Sequence, residues 1–195
     1  MLRFVHHLPP GPSKEKQRLI FVDRDGVINV DPIGDYVKSR KDFTFEAGAI
    51  EALQLLVKKG YQIIIISNQA GIGDGVYTES DLQDIHTHMI DALEKNHIPV
   101  RSAHYCLHGK QAGCSCRKPQ TGLFEDATKN IVFSKSETYF IGDKNTDVEA
   151  GKRFGIKTIF VRTGHGPYDE AKLKAPYLPD LIAENILDAV EKLPQ

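Results

Sequence analysis

Leu19-Ile20-Phe21-Val22-Asp23-Arg24-Asp25-Gly26-Val27-Ile28-Asn29 sets two carboxylates one residue apart at the end of a short apolar run. Leu19 to Val22 has the length and composition of a buried strand. Alternate side chains of a strand share a face, so Asp23 and Asp25 point one way and Arg24 the other. Carboxylates that close repel each other unless a bound cation or a retained proton neutralises them. Gly26 allows a sharp turn where residues at the carboxyl end of a strand in an open α/β sheet approach a ligand.

The chain beyond supplies a sheet for this strand to join. Asn29 to Phe45 is polar and reads as a loop or small flap beside the acidic pair. Ile50, Leu53, Leu56 and Val57 follow helical spacing, and Gly60 provides the left-handed stop. Gln62 to Ile66 is the uninterrupted β-branched run of a strand covered on both faces, with Ser67-Asn68-Gln69 at its end. After a glycine-rich turn, Thr78 with Asp81 predicts a capped helix carrying Leu82, Ile85, Met89, Ile90 and Leu93 on one stripe. His86 and His88 lie two apart on that helix, cannot share a face, and read as ordinary histidines. Strands are expected at Val100–Tyr105, Thr138–Ile141 and Lys157–Val161, and helices at 123–131, 148–154 and 182–193. Alternating strands and helices predict an α/β fold with a doubly wound parallel sheet and ligands gathered above the strand ends.

Composition narrows the function classes. The 195 residues, 41% of them hydrophobic, suffice for one globular domain, expected over 19–195, behind a flexible N-terminal arm at 1–18. With 25 basic against 26 acidic residues there is no field to gather nucleic acid or an anionic membrane, so neither is expected as a partner. No apolar run approaches the roughly 20 residues that span a bilayer. The three cysteines, Cys106, Cys114 and Cys116, sit together and do not form an extracellular disulfide framework, which points to a reducing cytoplasm.

Four separated segments bring polar groups to one rim: Asp23 and Asp25, then Ser67, Asn68 and Gln69, then Arg117 and Lys118, then Asp143, Lys144 and Asp147. In that order they resemble the four motifs of the haloacid dehalogenase superfamily of phosphotransferases. The resemblance implies a Rossmann-like fold with no large cap domain and a phosphatase. Asp23 would be the nucleophile that becomes a phosphoaspartate, and Asp25 the acid that protonates the leaving alkoxide and then activates water. Ser67 and Lys118 would hold the transferring oxygens, while Asp23, Asp143 and the backbone carbonyl of Asp25 would ligate Mg²⁺, a hard ion that prefers oxygen. Asp147 either caps the next helix or joins the site, Asn68 either orients its loop or touches substrate, and Lys144 is either solvated or faces the phosphate.

Cys106, His108, Cys114 and Cys116 put three thiols and an imidazole within eleven residues, a tetrahedral donor set that Zn²⁺ favours. A redox pair would typically be Cys-x-x-Cys, and a Cys114–Cys116 disulfide would close a strained ring. With all four positions filled by protein, the zinc of this 106–116 loop is expected to be structural, presenting Arg117 and Lys118 just beyond it.

Asp-Arg-Asp-Gly-Val-Ile-Asn, Ser-Asn-Gln, the Gly-Ile-x-x-Gly-x-Tyr-Thr-Glu turn, the Cys-x-His…Cys-x-Cys-Arg-Lys-Pro loop, Gly-Asp-Lys and Val161-Arg162-Thr163-Gly164 are similar to the D-glycero-D-manno-heptose 1,7-bisphosphate 7-phosphatases. Histidinol-phosphate phosphatases share the zinc loop, and its short spacing here is nearer to theirs. The heptose resemblance implies an enzyme of carbohydrate metabolism acting on a small phosphorylated sugar, in the supply of activated heptose for lipopolysaccharide; a monomer is expected. Asp74 departs from the family's often basic residue, and an acid there would repel a second phosphate. The flap is also longer. Arg117, Lys38 and Arg40 are candidates for the distal phosphate. A non-catalytic module binding a phosphorylated ligand would need only the metal ligands, whereas this chain has both Asp23 and Asp25.

Overall fold

Strands β1 (Leu2–Val5), β2 (Leu19–Val22), β3 (Gln62–Asn68), β4 (Val100–Cys106), β5 (Tyr139–Gly142), β6 (Lys157–Val161) and β7 (Leu181–Ala183) form one sheet in the order β1-β4-β3-β2-β5-β6-β7. The computed structural model describes residues 1–6 and 16–194. All neighbours pair in parallel except β1, which is antiparallel to β4. The helices are α1 (Ala49–Lys58), α2 (Ala70–Gly73), α3 (Glu79–Lys95), α4 (Gly122–Ala127), α5 (Asn145–Phe154), α6 (Gly166–Asp169) and α7 (Ile186–Glu191).

Both faces of the sheet are covered, and the parity of β2 and β3 shows how. Ile20, Val22, Ile63 and Ile65 pack with residues of α1, α3 and α7, including Leu53, Leu82, Ile85 and Ile186. Leu19, Phe21, Ile64 and Ile66 pack with Leu123 and Phe124 of α4 and Ala150 and Phe154 of α5. All four β2 residues are completely buried, so burial at roughly 1.5–3 kcal/mol for each large side chain holds the strand that carries Asp23. The expected capping of α3 is present: the Thr78 hydroxyl accepts from Asp81 N–H at 3.1 Å, and the Asp81 carboxylate accepts from Thr78 N–H at 2.8 Å.

Three expectations are corrected. The arm at 1–18 does not start as free chain: Leu2 and Phe4 pack on the core while Arg3 and Val5 face out, and the open edge of β4 pairs with them. Four alternating residues are too short a pattern to announce a strand in sequence. Residues 7–15 of that arm lie outside the described residues. The tail at 182–193 is not one helix but β7 followed by α7, because Asn185 caps the helix by accepting from Asp188 N–H at 3.0 Å. Helix α4 stops at Ala127, before Ile131, which packs against the second core cluster from the following loop. Among the described residues no helix is long and apolar enough to cross a membrane.

Candidate active site

The parallel neighbours β3, β2, β5 and β6 end on one rim, where a cleft of about 620 Å³ opens among Asp23, Asp25, Ser67, Arg117, Lys118 and Lys144. Asp23 follows β2 and Asp143 follows β5, so parallel pairing alone sets their backbones side by side. Asp147, at the start of α5, completes a group of three buried carboxylates whose oxygens lie within 4.8 Å of one another.

Counter-charges hold this cluster. Lys118 Nζ, almost fully buried, lies 2.8 Å from Asp23 Oδ2 and 2.7 Å from Asp147 Oδ1, and donates to the Ile66 carbonyl at 3.0 Å. Burial would lower the ammonium's pKa, but Asp147 and Asp23 outweigh it and raise it above the ordinary lysine value. Asp147 serves both roles open in the sequence, since its Oδ2 also accepts from Lys144 N–H at 3.0 Å at the head of α5. Asp143 is completely buried; one oxygen accepts from His165 N–H at 2.7 Å and the other, Oδ1, has no hydrogen-bond donor. Burial, then the charges of Asp147 and Asp23, push its carboxyl well above the usual range despite Lys144 nearby. An orphaned, buried carboxylate oxygen facing two more carboxylates is a donor set that fits a hard divalent cation.

The Asp25 carboxylate is not in this group. Its Oδ1 accepts from Arg24 Nη2 at 2.7 Å, Arg24 Nε at 3.0 Å and Asn29 Nδ2 at 3.1 Å, and its Oδ2 accepts from Gln69 Nε2 at 2.7 Å. Burial alone would raise its pKa, but the Arg24 guanidinium brings it below the ordinary carboxylate value. The expectation that Arg24 points away from Asp25 is corrected: β2 ends at Val22, and beyond it the Arg24 guanidinium turns onto the Asp25 carboxylate in the interior, where Arg24 is 1% exposed.

Ser67 lines the cleft, 2.9 Å from Gln69 Nε2. Asn68 and Gln69 have work inside the protein. Asn68 accepts from Lys118 N–H at 3.0 Å and donates to the Lys118 carbonyl at 3.1 Å, so it orients the lysine loop. Lys144 Nζ lies 2.9 Å from Asp31 in the flap. Arg117 lines the cleft, whereas Lys38 pairs with Asp35 at 2.8 Å and Arg40 with Asp84 at 2.8 Å, and neither lines it. Asp74 is exposed and also absent from the lining, which removes the repulsion expected of it.

The loop after β6, which carries the Val161-Arg162-Thr163-Gly164 resemblance, supports the cluster: Thr163 Oγ1 donates to the Gly26 carbonyl at 2.6 Å, while His165, which the sequence did not single out, lines the cleft. A Cβ on Gly26, where φ is +83°, would sit 2.3 Å from Asp143 Oδ2, and one on Gly164 would sit 2.4 Å from it. Parallel order brings this loop, and His165 with it, to the site, because β6 neighbours β5 and its carboxyl end must reach the same rim. Lys110 and Asp31 were also missed and also line the cleft.

Cys106, His108, Cys114 and Cys116 converge as expected. Sulfur separations are 3.3 to 3.6 Å, and His108 Nδ1 lies 3.2 Å from Cys116 Sγ. A tetrahedral centre with metal–sulfur bonds of about 2.3 Å places its sulfurs roughly 3.8 Å apart, so the set is close to a zinc site and far from a disulfide.

A family model described as "HAD-hyrolase-like" matches residues 115–189. The fold and site define a phosphatase of the haloacid dehalogenase superfamily. The D-glycero-beta-D-manno-heptose-1,7-bisphosphate 7-phosphatase of Haemophilus ducreyi is 34% identical over 182 residues, 89% of this chain and 97% of that protein. The D,D-heptose 1,7-bisphosphate phosphatase from B. bronchiseptica, solved with magnesium and phosphate, superposes with a TM-score of 0.84 at 29% identity, covering 91% of this chain and 98% of that one. The histidine biosynthesis bifunctional protein HisB of Legionella pneumophila is 34% identical over 149 residues, 76% of this chain but 42% of that protein. The chain belongs to the family of D-glycero-D-manno-heptose-1,7-bisphosphate 7-phosphatases.

Proposed function

We propose that this chain is a Mg²⁺-dependent phosphomonoester hydrolase that removes the 7-phosphate of D-glycero-D-manno-heptose 1,7-bisphosphate, working in the cytoplasm. The observation that carries the reading is the burial of Asp23 between a lysine ammonium and two further carboxylates at the floor of one cleft. Mg²⁺, held by Asp23, Asp143 and the Asp25 carbonyl with Asp147 beside it, would neutralise charge on the phosphoryl oxygens and the nucleophile.

The residues of the chain divide the reaction between them. An Asp23 oxygen attacks phosphorus in line; the new Asp–phosphate bond forms as the bond to the sugar oxygen breaks, and that oxygen takes a proton from Asp25, which holds one in the complex because the phosphate dianion beside it raises its pKa against the pull of Arg24. Asp25, now a carboxylate, takes a proton from water, whose oxygen attacks phosphorus. Inorganic phosphate leaves and Asp23 is restored. Through both steps the Lys118 ammonium and Ser67 hydroxyl hold equatorial oxygens, exchanging their bonds to the protein for bonds to the phosphoryl group. The Cys₃His loop would hold a structural Zn²⁺.

A histidinol-phosphate phosphatase is the second reading, favoured by the similarity to the bifunctional histidine protein. Lys110 and Arg117 on the zinc-loop wall discriminate: both are cationic, would draw a second phosphate and would repel an amine. Phosphate release from α- and β-heptose bisphosphates, fructose bisphosphate and histidinol phosphate tests the choice. The expected result is a heptose bisphosphate preferred in kcat/KM; preference for histidinol phosphate would overturn it.

A further inference from the structure

We propose that Tyr77 is a positioning residue for the acid–base step, acting on Asp25 through the side-chain amide of Gln69; this rests on the phosphatase reading above. The Gln69 amide sits where one wrong turn would matter. Its two hydrogens serve Asp25 Oδ2 at 2.7 Å and Ser67 Oγ at 2.9 Å, the proton-transferring carboxylate and the phosphate-holding hydroxyl. A carboxylate only accepts hydrogen bonds. Rotated by half a turn, the amide would present its oxygen to that carboxylate, lone pair against lone pair.

The opposite end of the amide is fixed by the Tyr77 hydroxyl, which donates to Gln69 Oε1 at 2.5 Å. Tyr77 is 7% exposed and Gln69 is 2% exposed, so no bulk water replaces this donor. Burial also raises the phenol pKa above its ordinary value, which keeps the proton on the oxygen. Tyr77 stands between α2 and the Thr78 cap of α3, and its ring lies 6.0 Å from that of Tyr36 in the flap. Its hydroxyl is thus held by elements outside the reacting cluster, and it touches no reacting atom.

Removing the hydroxyl alone leaves Oε1 without a donor and lets the amide swing away from Asp25. A loss of roughly an angstrom in placement costs up to about a hundredfold in rate, and a general acid is worth about 10²–10⁴. The consequence depends on the leaving group. An alkyl phosphate needs its departing oxygen protonated, whereas nitrophenolate departs from p-nitrophenyl phosphate without help.

The test compares wild type, Tyr77→Phe, Gln69→Ala and the double variant. Tyr77→Phe keeps the buried ring, and circular dichroism with a thermal melt establishes that each variant is folded. For Tyr77→Phe, kcat on the sugar phosphate is expected to fall at least about tenfold with KM within threefold. The first-turnover burst with p-nitrophenyl phosphate should fall no more than threefold. Gln69→Ala should show the same leaving-group signature, and adding Tyr77→Phe to it should cost less than a further twofold, because the tyrosine has lost the group it acts through. Equal losses on both substrates, a loss under twofold on the sugar phosphate, or additive losses in the double variant would each overturn the relay. Should wild type prefer histidinol phosphate, the substrate reading fails while the relay is still scored on that alkyl ester; should it hydrolyse no phosphate ester, both readings fall.

Discussion

Lowering pH from 7.5 to 5.0 will destabilise this protein through His86, and replacing that residue with Gln will remove the effect. His86 lies on α3 with 2% exposure; its Nδ1 is 2.8 Å from the Tyr105 hydroxyl of β4 and its Nε2 is 2.8 Å from Nε2 of His6. Its ring stacks on Phe4 of β1 at 3.9 Å. Burial, then the positive fields of His6 and Arg24, lower its pKa to about 3. The unfolded chain takes up the proton near pH 6.5, whereas the folded protein holds the ring neutral down to about 3. Between those values the unfolded state binds more protons, so stability is intact above pH 6.5 and is lost as pH falls below it. Each pH unit below 6.5 costs about 1.4 kcal/mol, which comes to roughly 2 kcal/mol at pH 5.0. Urea unfolding of wild type and His86→Gln at both pH values measures it as a difference of differences. His104, whose pKa is also lowered by burial, contributes equally to both proteins and cancels. Equal pH dependence in the two proteins would refute the reasoning.

Asp23→Asn removes the nucleophile but not its volume, and phosphate release should fall at least roughly a thousandfold while circular dichroism and zinc content stay at wild-type values. Lys118→Met strips the shared counter-charge from Asp23 and Asp147, both buried, and should cost about 3–5 kcal/mol in chemical denaturation with magnesium chelated. Gly26→Ala forces a methyl to within 2.3 Å of Asp143 Oδ2 at a φ of +83°, so about 1–3 kcal/mol of stability and most phosphatase activity should be lost together. Titration with a mercurial should release one zinc per chain and open 106–116 to proteolysis, with phosphate release falling as the loop unfolds.

Much of this was legible because strands announce themselves by apolar runs. Leu19–Val22 and Ile63–Ile66 are apolar throughout, and the polar residues immediately after them had to gather at one rim once the sheet was parallel. The Cys₃His set was legible from four residues in one short segment. What escaped was set by tertiary partners. Strand alternation sends Arg24 away from Asp25, and only the structure shows the pairing with Asp25 that is the condition of its burial. Leu2–Val5 is a strand only because β4 offers it an edge. Tyr77 follows a turn like any core aromatic, and only the hydroxyl's direction toward Gln69 marks it out. His86 reads as an ordinary histidine from its spacing, because its partners His6 and Tyr105 are far away in sequence.

The grip of Asn68 on both backbone groups of Lys118 separates two tasks that adjacency in the chain would fuse. The ammonium is moored to β3, through Asn68 and through the Ile66 carbonyl, and not to the cysteine knot that precedes it. Residues 109–113, between the ligands of that knot, therefore form a wall that can be lengthened, trimmed or recharged without re-aiming the cation over the nucleophile. Exchanging one phosphate ester for another would then take changes in that wall alone.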